Sequence, residues 1–122
     1  MSTIYERYGG FATVRKVVSS FYDRALDSPV IGHRFESIDM GRLIDHQSRF
    51  IASVMGGPAS YTDEHLHRIH ARLEISHAEF TEMATLLADT LEDAGFTDAD
   101  VAAVISEIRR RESSVVSEPA PA

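Results

Sequence analysis

Apolar residues recur every three or four positions along almost the whole 122-residue chain, and no stretch alternates as a strand would. That period puts one apolar stripe on each of several helices and constrains the fold more than any other feature. From Phe11, the residues Val14, Val17, Val18, Phe21, Tyr22 and Ala25 share one face. Ser28-Pro29 ends that helix, because the residue before proline avoids the α region. Thr3-Ile4-Tyr5-Glu6 and Ser76-His77-Ala78-Glu79 fit the capping box that opens a helix. Asp39 reads as the cap of a helix through Met55, stopped by Gly56-Gly57-Pro58. Thr62 reads as the cap of a short helix carrying histidines, and Phe80, Met83, Leu87 and Leu91 form a stripe closed by Gly95. Thr97 to Asp100 open a last helix with Val101, Val104, Ile105 and Ile108 inward. The fold class is all-α, in one domain over 1–115, and residues 116–122 read as a disordered tail.

Composition narrows the chemistry. The chain has no cysteine, which removes disulfides, cysteine-ligated zinc, iron–sulfur clusters and thiol catalysis. A formal net charge of −7 argues against nucleic acid and anionic membrane as partners. No apolar run reaches transmembrane length and the N-terminus lacks a signal-peptide core, so a cytoplasmic location is expected; a monomer is also expected.

Three of the six histidines fall in EHLHRIH, residues 64–70. His67 and His70 can share a helix face, but His65 cannot join His67 there. A three-histidine zinc site would therefore need local unwinding or a ligand from elsewhere. Leu66, Ile69, His70 and Leu73 lie at offsets of three, four and seven, so His70 is the histidine on the apolar stripe. A histidine so placed is either a hydrogen-bonded core residue or the axial ligand of a buried flat cofactor such as haem. Residues 39–57 bring Leu43, His46, Gln47, Phe50 and Val54 to one face. Buried polar groups need partners, so His and Gln in mid-face suggest a ligand site. His46 at the edge of that face, in water, is the plainer alternative. The Tyr22 hydroxyl is a further polar candidate beside Phe21.

The segments YERYGGFATVRKVVSSFYDRAL, FESIDMGRLIDHQSRF, MGGP followed by YT, and LHRIH, taken in order, resemble the group I truncated haemoglobins. The resemblance covers about residues 2–115 and implies a two-over-two helical sandwich around haem b. It implies His70 as proximal iron ligand and Phe35 packed on the haem. It implies Tyr22 and Gln47 as hydrogen-bonding distal residues beside Phe21, with Leu43 as the apolar distal residue. Phe50, Leu66 and Leu73 are expected to line the pocket. His46 matches a position where cyanobacterial-type members place a histidine that binds iron as sixth ligand. O2, NO and CO are the implied ligands.

Turnover of nitric oxide to nitrate would need an external reductase, since the chain has no flavin or nicotinamide domain. A non-enzymatic gas sensor or store is the alternative, and a helical zinc protein using His65, His67 and His70 is a third. Two departures stand out. No histidine follows His77, so the covalent haem link of some relatives is expected to be absent. The glycine often found shortly after the proximal histidine is missing from Ala71-Arg72-Leu73-Glu74, so that helix is expected to run on.

Overall fold

A computed structural model describes residues 2–58 and 73–116. The expected helix capped by Thr62, with His65, Leu66, His67 and His70, lies outside the described residues.

The local signals written into the sequence are used as expected. Helix α1 (Ile4–Arg7) opens on a full capping box: the Glu6 N–H donates to Thr3 Oγ1 at 3.1 Å, and the Thr3 N–H to Glu6 Oε1 at 3.3 Å. Gly9 and Gly10 turn the chain with φ of +102° and +76°, angles that residues with a β-carbon rarely adopt. Helix α2 (Phe11–Leu26) follows, with all six residues of its predicted stripe buried. The Ser28 hydroxyl accepts from the Val30 and Ile31 N–H groups and leads into a 3-10 helix, Gly32–Phe35. Asp39 caps helix α3 (Met40–Val54) through the Arg42 N–H. Helices α4 (His77–Asp93) and α5 (Asp98–Arg110) are capped by Ser76 and Thr97, and α6 (Glu112–Val115) ends the described chain.

Helix α2 packs on α3, α4 packs on α5, and α2 also meets α4. Two helix pairs therefore share one core, which is the two-over-two arrangement. Val14, Val17 and Val18 of α2 meet a core that includes Phe80 and Leu91 of α4 and Val104 of α5. Each such side chain contributes about 1.5–3 kcal/mol when fully buried. The short α1 is tied at both ends: the Tyr5 N–H donates to the Met55 carbonyl at 3.0 Å, and Arg7 forms a bidentate pair with Asp100 at 2.7 and 2.8 Å. The Tyr8 hydroxyl also donates to Asp100, at 2.6 Å, while its ring stacks on Phe96.

Two expectations change. The stretch expected to continue as helix is not helical at Glu74. Glu74 adopts φ +50°, the left-handed conformation that a glycine would adopt without strain, and Ile75 pairs in a parallel bridge with Val116. A left-handed non-glycine residue costs about 1–2 kcal/mol, so contacts elsewhere must hold it. Val116, assigned to the tail by its small and polar neighbours, is 8% exposed and packs in the core. Positions 117–122 lie outside the described residues.

Candidate functional site

The α2 stripe, the 3-10 helix, α3 and the start of α4 wall a cavity of about 920 Å3. That volume lies within the roughly 300–1,000 Å3 of small-molecule sites. Phe21, Tyr22, Phe35, Leu43, His46, Gln47, Phe50 and Leu73 all line it. Of the site residues expected from sequence, only His70 and Leu66 are absent from this set, because they lie outside the described residues.

The geometry follows from helix periodicity. Offsets of three, four and seven along α3 put Leu43, His46, Gln47 and Phe50 on the cavity wall together. Tyr22 comes from the α2 stripe and is 8% exposed. Its ring meets Phe21 at 4.9 Å, edge on. Burial pushes the Tyr22 phenol well above its ordinary pKa, so it keeps its proton and can donate. Among the described residues, neither the Tyr22 hydroxyl nor the Gln47 amide has a hydrogen-bond partner. Both donors are therefore available to a ligand in the cavity. Ile38 and Leu73 are 46% and 49% exposed although both border the cavity, so a ligand there would cover them.

Sequence reading missed the cations at this cavity. His33, Arg34, Arg49 and Arg111 all line it. Arg111 is paired with Glu107 at 2.9 Å, and Arg34 with Glu79. Among the described residues, Arg49 has no carboxylate within ion-pair distance. A single basic residue, whether in the irregular stretch before Phe35 or on a helix, carries no signal in the sequence of what it approaches.

The residues present fit haem. An apolar slot of sufficient volume, a flanking phenylalanine, a protonated phenol and Arg49, which has no ion-pair partner among the described residues, are in place for the ring and its carboxylates. Among the described residues, no three histidines or carboxylates are grouped to hold a bare metal ion. None of the described helices is long and apolar enough to cross a membrane.

Comparison with known proteins agrees with this geometry. The bacterial-like globin family matches residues 3–117. The group 1 truncated haemoglobin of Tetrahymena pyriformis is 31% identical over 88% of this chain and 92% of its own. The group 1 truncated haemoglobin of Synechocystis sp. is 34% identical over 85% of this chain and 90% of its own. The crystal structure of the Tetrahymena pyriformis protein in its Fe(III) form superposes with a TM-score of 0.86 at 26% identity, covering 96% of this chain and 100% of that one. The chain belongs to the bacterial-like globin family, as a haem-binding truncated haemoglobin of group 1 with the two-over-two fold.

Proposed function

We propose that the cavity is the gas pocket of a haem globin whose proximal ligand is His70. The observation that carries this reading is the buried, protonated Tyr22 hydroxyl, which lines an apolar cavity without a partner among the described residues. Haem, when bound, supplies an iron that takes O2, NO or CO. The His70 imidazole would hold that iron as a neutral ligand, with its second ring nitrogen free to donate and fix the tautomer. Leu43, Phe21, Phe50 and Phe35 keep water from the ligand. Tyr22 would donate to a partially negative diatomic ligand, and Gln47 would add a second donor. A hydrogen bond to a charged acceptor contributes about 1.5–3 kcal/mol, or roughly 10- to 150-fold in affinity. Such retention suits chemistry or sensing better than carriage. His46 would be able to hold the iron when no gas is bound, and apparent gas affinity would then scale with the fraction of open pocket. Arg49 and His33 serve the haem carboxylates.

Conversion of nitric oxide and O2 to nitrate is the enzymatic form of this reading, in a cytoplasmic monomer to which an external reductase returns the one electron each cycle needs. A sensor or store shares the site and differs only in turnover. The deciding experiment is the visible spectrum of the purified protein, ferric and then dithionite-reduced. Haem bands are expected. Their absence even after adding hemin overturns the reading and favours zinc at His65, His67 and His70. Nitrate formed from NO and O2 in repeated cycles with added reductant separates enzyme from sensor.

A further inference from the structure

One guanidinium joins three separate segments at the rim of the cavity. Arg34 stands next to Phe35 in the 3-10 helix. Its Nη1 donates to the Leu73 carbonyl at 2.7 Å, and its Nη2 to the Glu74 carbonyl at 3.2 Å and to Glu79 Oε1 at 2.7 Å. Its Nε donates to Glu79 Oε2. Glu79 in turn accepts from the Ser76 N–H at 3.1 Å, within the cap of α4. The two gripped carbonyls flank the point where Glu74 takes its left-handed conformation, directly before the Ile75–Val116 bridge.

We propose that Arg34 is a positioning residue for His70, acting through the Leu73 and Glu74 carbonyls. This rests on the reading of His70 as the iron ligand. Leu73 is three residues beyond His70, and three residues span at most about 10–11 Å. A clamp that close along the chain limits where the imidazole can stand. The same clamp ties the backbone that follows His70 in sequence to the 3-10 helix that carries Phe35. Arginine suits the task because its rigid planar fork reaches two carbonyls and a carboxylate together, which a lysine ammonium cannot. Nε, Nη1 and Nη2 all take part in the clamp, which uses four of the five N–H groups of this guanidinium. The strain at Glu74 is held by it in the place of the absent glycine.

The test compares Arg34→Gln and Arg34→Lys with Arg7→Gln, which breaks a bidentate pair that does not line the cavity. Two quantities are read on the haem-loaded full chain. One is the rate of haem transfer to an apomyoglobin acceptor. The other is the iron–histidine stretching band immediately after CO photolysis. Arg34→Gln is expected to speed haem loss at least tenfold and to shift or broaden the band. Arg34→Lys should fall between it and the parent. Arg7→Gln should lower Tm and leave both quantities unchanged. Loss of Tm alone in the Arg34 variants overturns the clamp. If Arg34→Gln fails to fold, a parental band and parental haem loss in Arg34→Lys do the same. A parent protein without haem bands would defeat the haem reading itself, and the clamp with it. A haem-loaded parent with indifferent Arg34 variants defeats only the clamp.

Discussion

The rings of Tyr22 and Phe35 meet edge to face, with centroids 5.5 Å apart and planes inclined at 83°. Tyr22 thereby touches an aromatic neighbour on each side, Phe21 on its own helix and Phe35 on the 3-10 helix. Edge-to-face pairs contribute about 0.5–1.5 kcal/mol beyond area burial. The phenol is held by its ring, which leaves the hydroxyl for a ligand. Tyr22→Phe should therefore keep fold and Tm and lose only the donor. The O2 off-rate, measured by stopped flow, should rise about 10- to 150-fold. An unchanged off-rate would remove Tyr22 from the ligand site.

His46 shares the cavity wall with Gln47 and lies near Asp45, whose carboxyl is held below its ordinary pKa chiefly by its hydrogen bond to Arg15. If His46 is the sixth ligand, the reduced parent shows sharp, split visible bands. His46→Ala should replace them with one broad band and speed CO binding. Identical reduced spectra for the two proteins would place His46 at the cavity rim instead.

The last histidine of the chain is His77, and its Nδ1 lies 2.8 Å from Glu112 Oε2. No later histidine is present in the sequence to bond a haem vinyl group. Acid–butanone extraction after reduction should remove all colour from the protein. Haem retained in the aqueous phase would refute non-covalent binding.

Glu79 carries an acid-stability prediction. Its hydrogen bond from Arg34, with smaller help from Ser76, lowers its pKa from 4.5 to about 2. A depressed carboxylate stabilises the fold fully above its unfolded value and ceases to do so as pH falls through its folded value. Unfolding free energy should thus be flat above pH ~5 and fall between about pH 4.5 and 2. The Glu79 share is on the order of 1–2 kcal/mol after solvent screening. Asp100, held low by Arg7 and Tyr8, acts in the same direction. In Glu79→Gln, urea titrations across this range should show a shallower fall, and a slope equal to the parent's would contradict the assignment.

Glu74 offers a local test of backbone strain. Glu74→Gly removes a left-handed cost of about 1–2 kcal/mol and adds an unfolded-state entropy cost of about 0.5–1 kcal/mol. A net gain of about 0.5–1 kcal/mol in urea unfolding is expected. A loss would mean that the Glu74 side chain contributes more than its backbone strain costs.

What the sequence determined by itself is local. The caps at Thr3, Asp39, Ser76 and Thr97 act within three residues, and the α2 and α3 faces follow from a 3.6-residue period. These interactions are short in chain separation, so a linear pattern records them. The same period put Leu43, His46, Gln47 and Phe50 together before their partners were known. The tertiary structure decided what is long-range. Arg34 meets Glu79 across 45 positions, and Arg7 meets Asp100 across 93. Nothing in either neighbourhood marks the pairing, because it depends on how the helix pairs cross. Glu74 reads as an ordinary helix residue, and in the fold it is left-handed between the Arg34 hydrogen bonds and the Ile75–Val116 bridge. Val116 reads as tail and becomes core for the same reason: burial belongs to the packed chain, whereas helix period and caps belong to its neighbours in sequence.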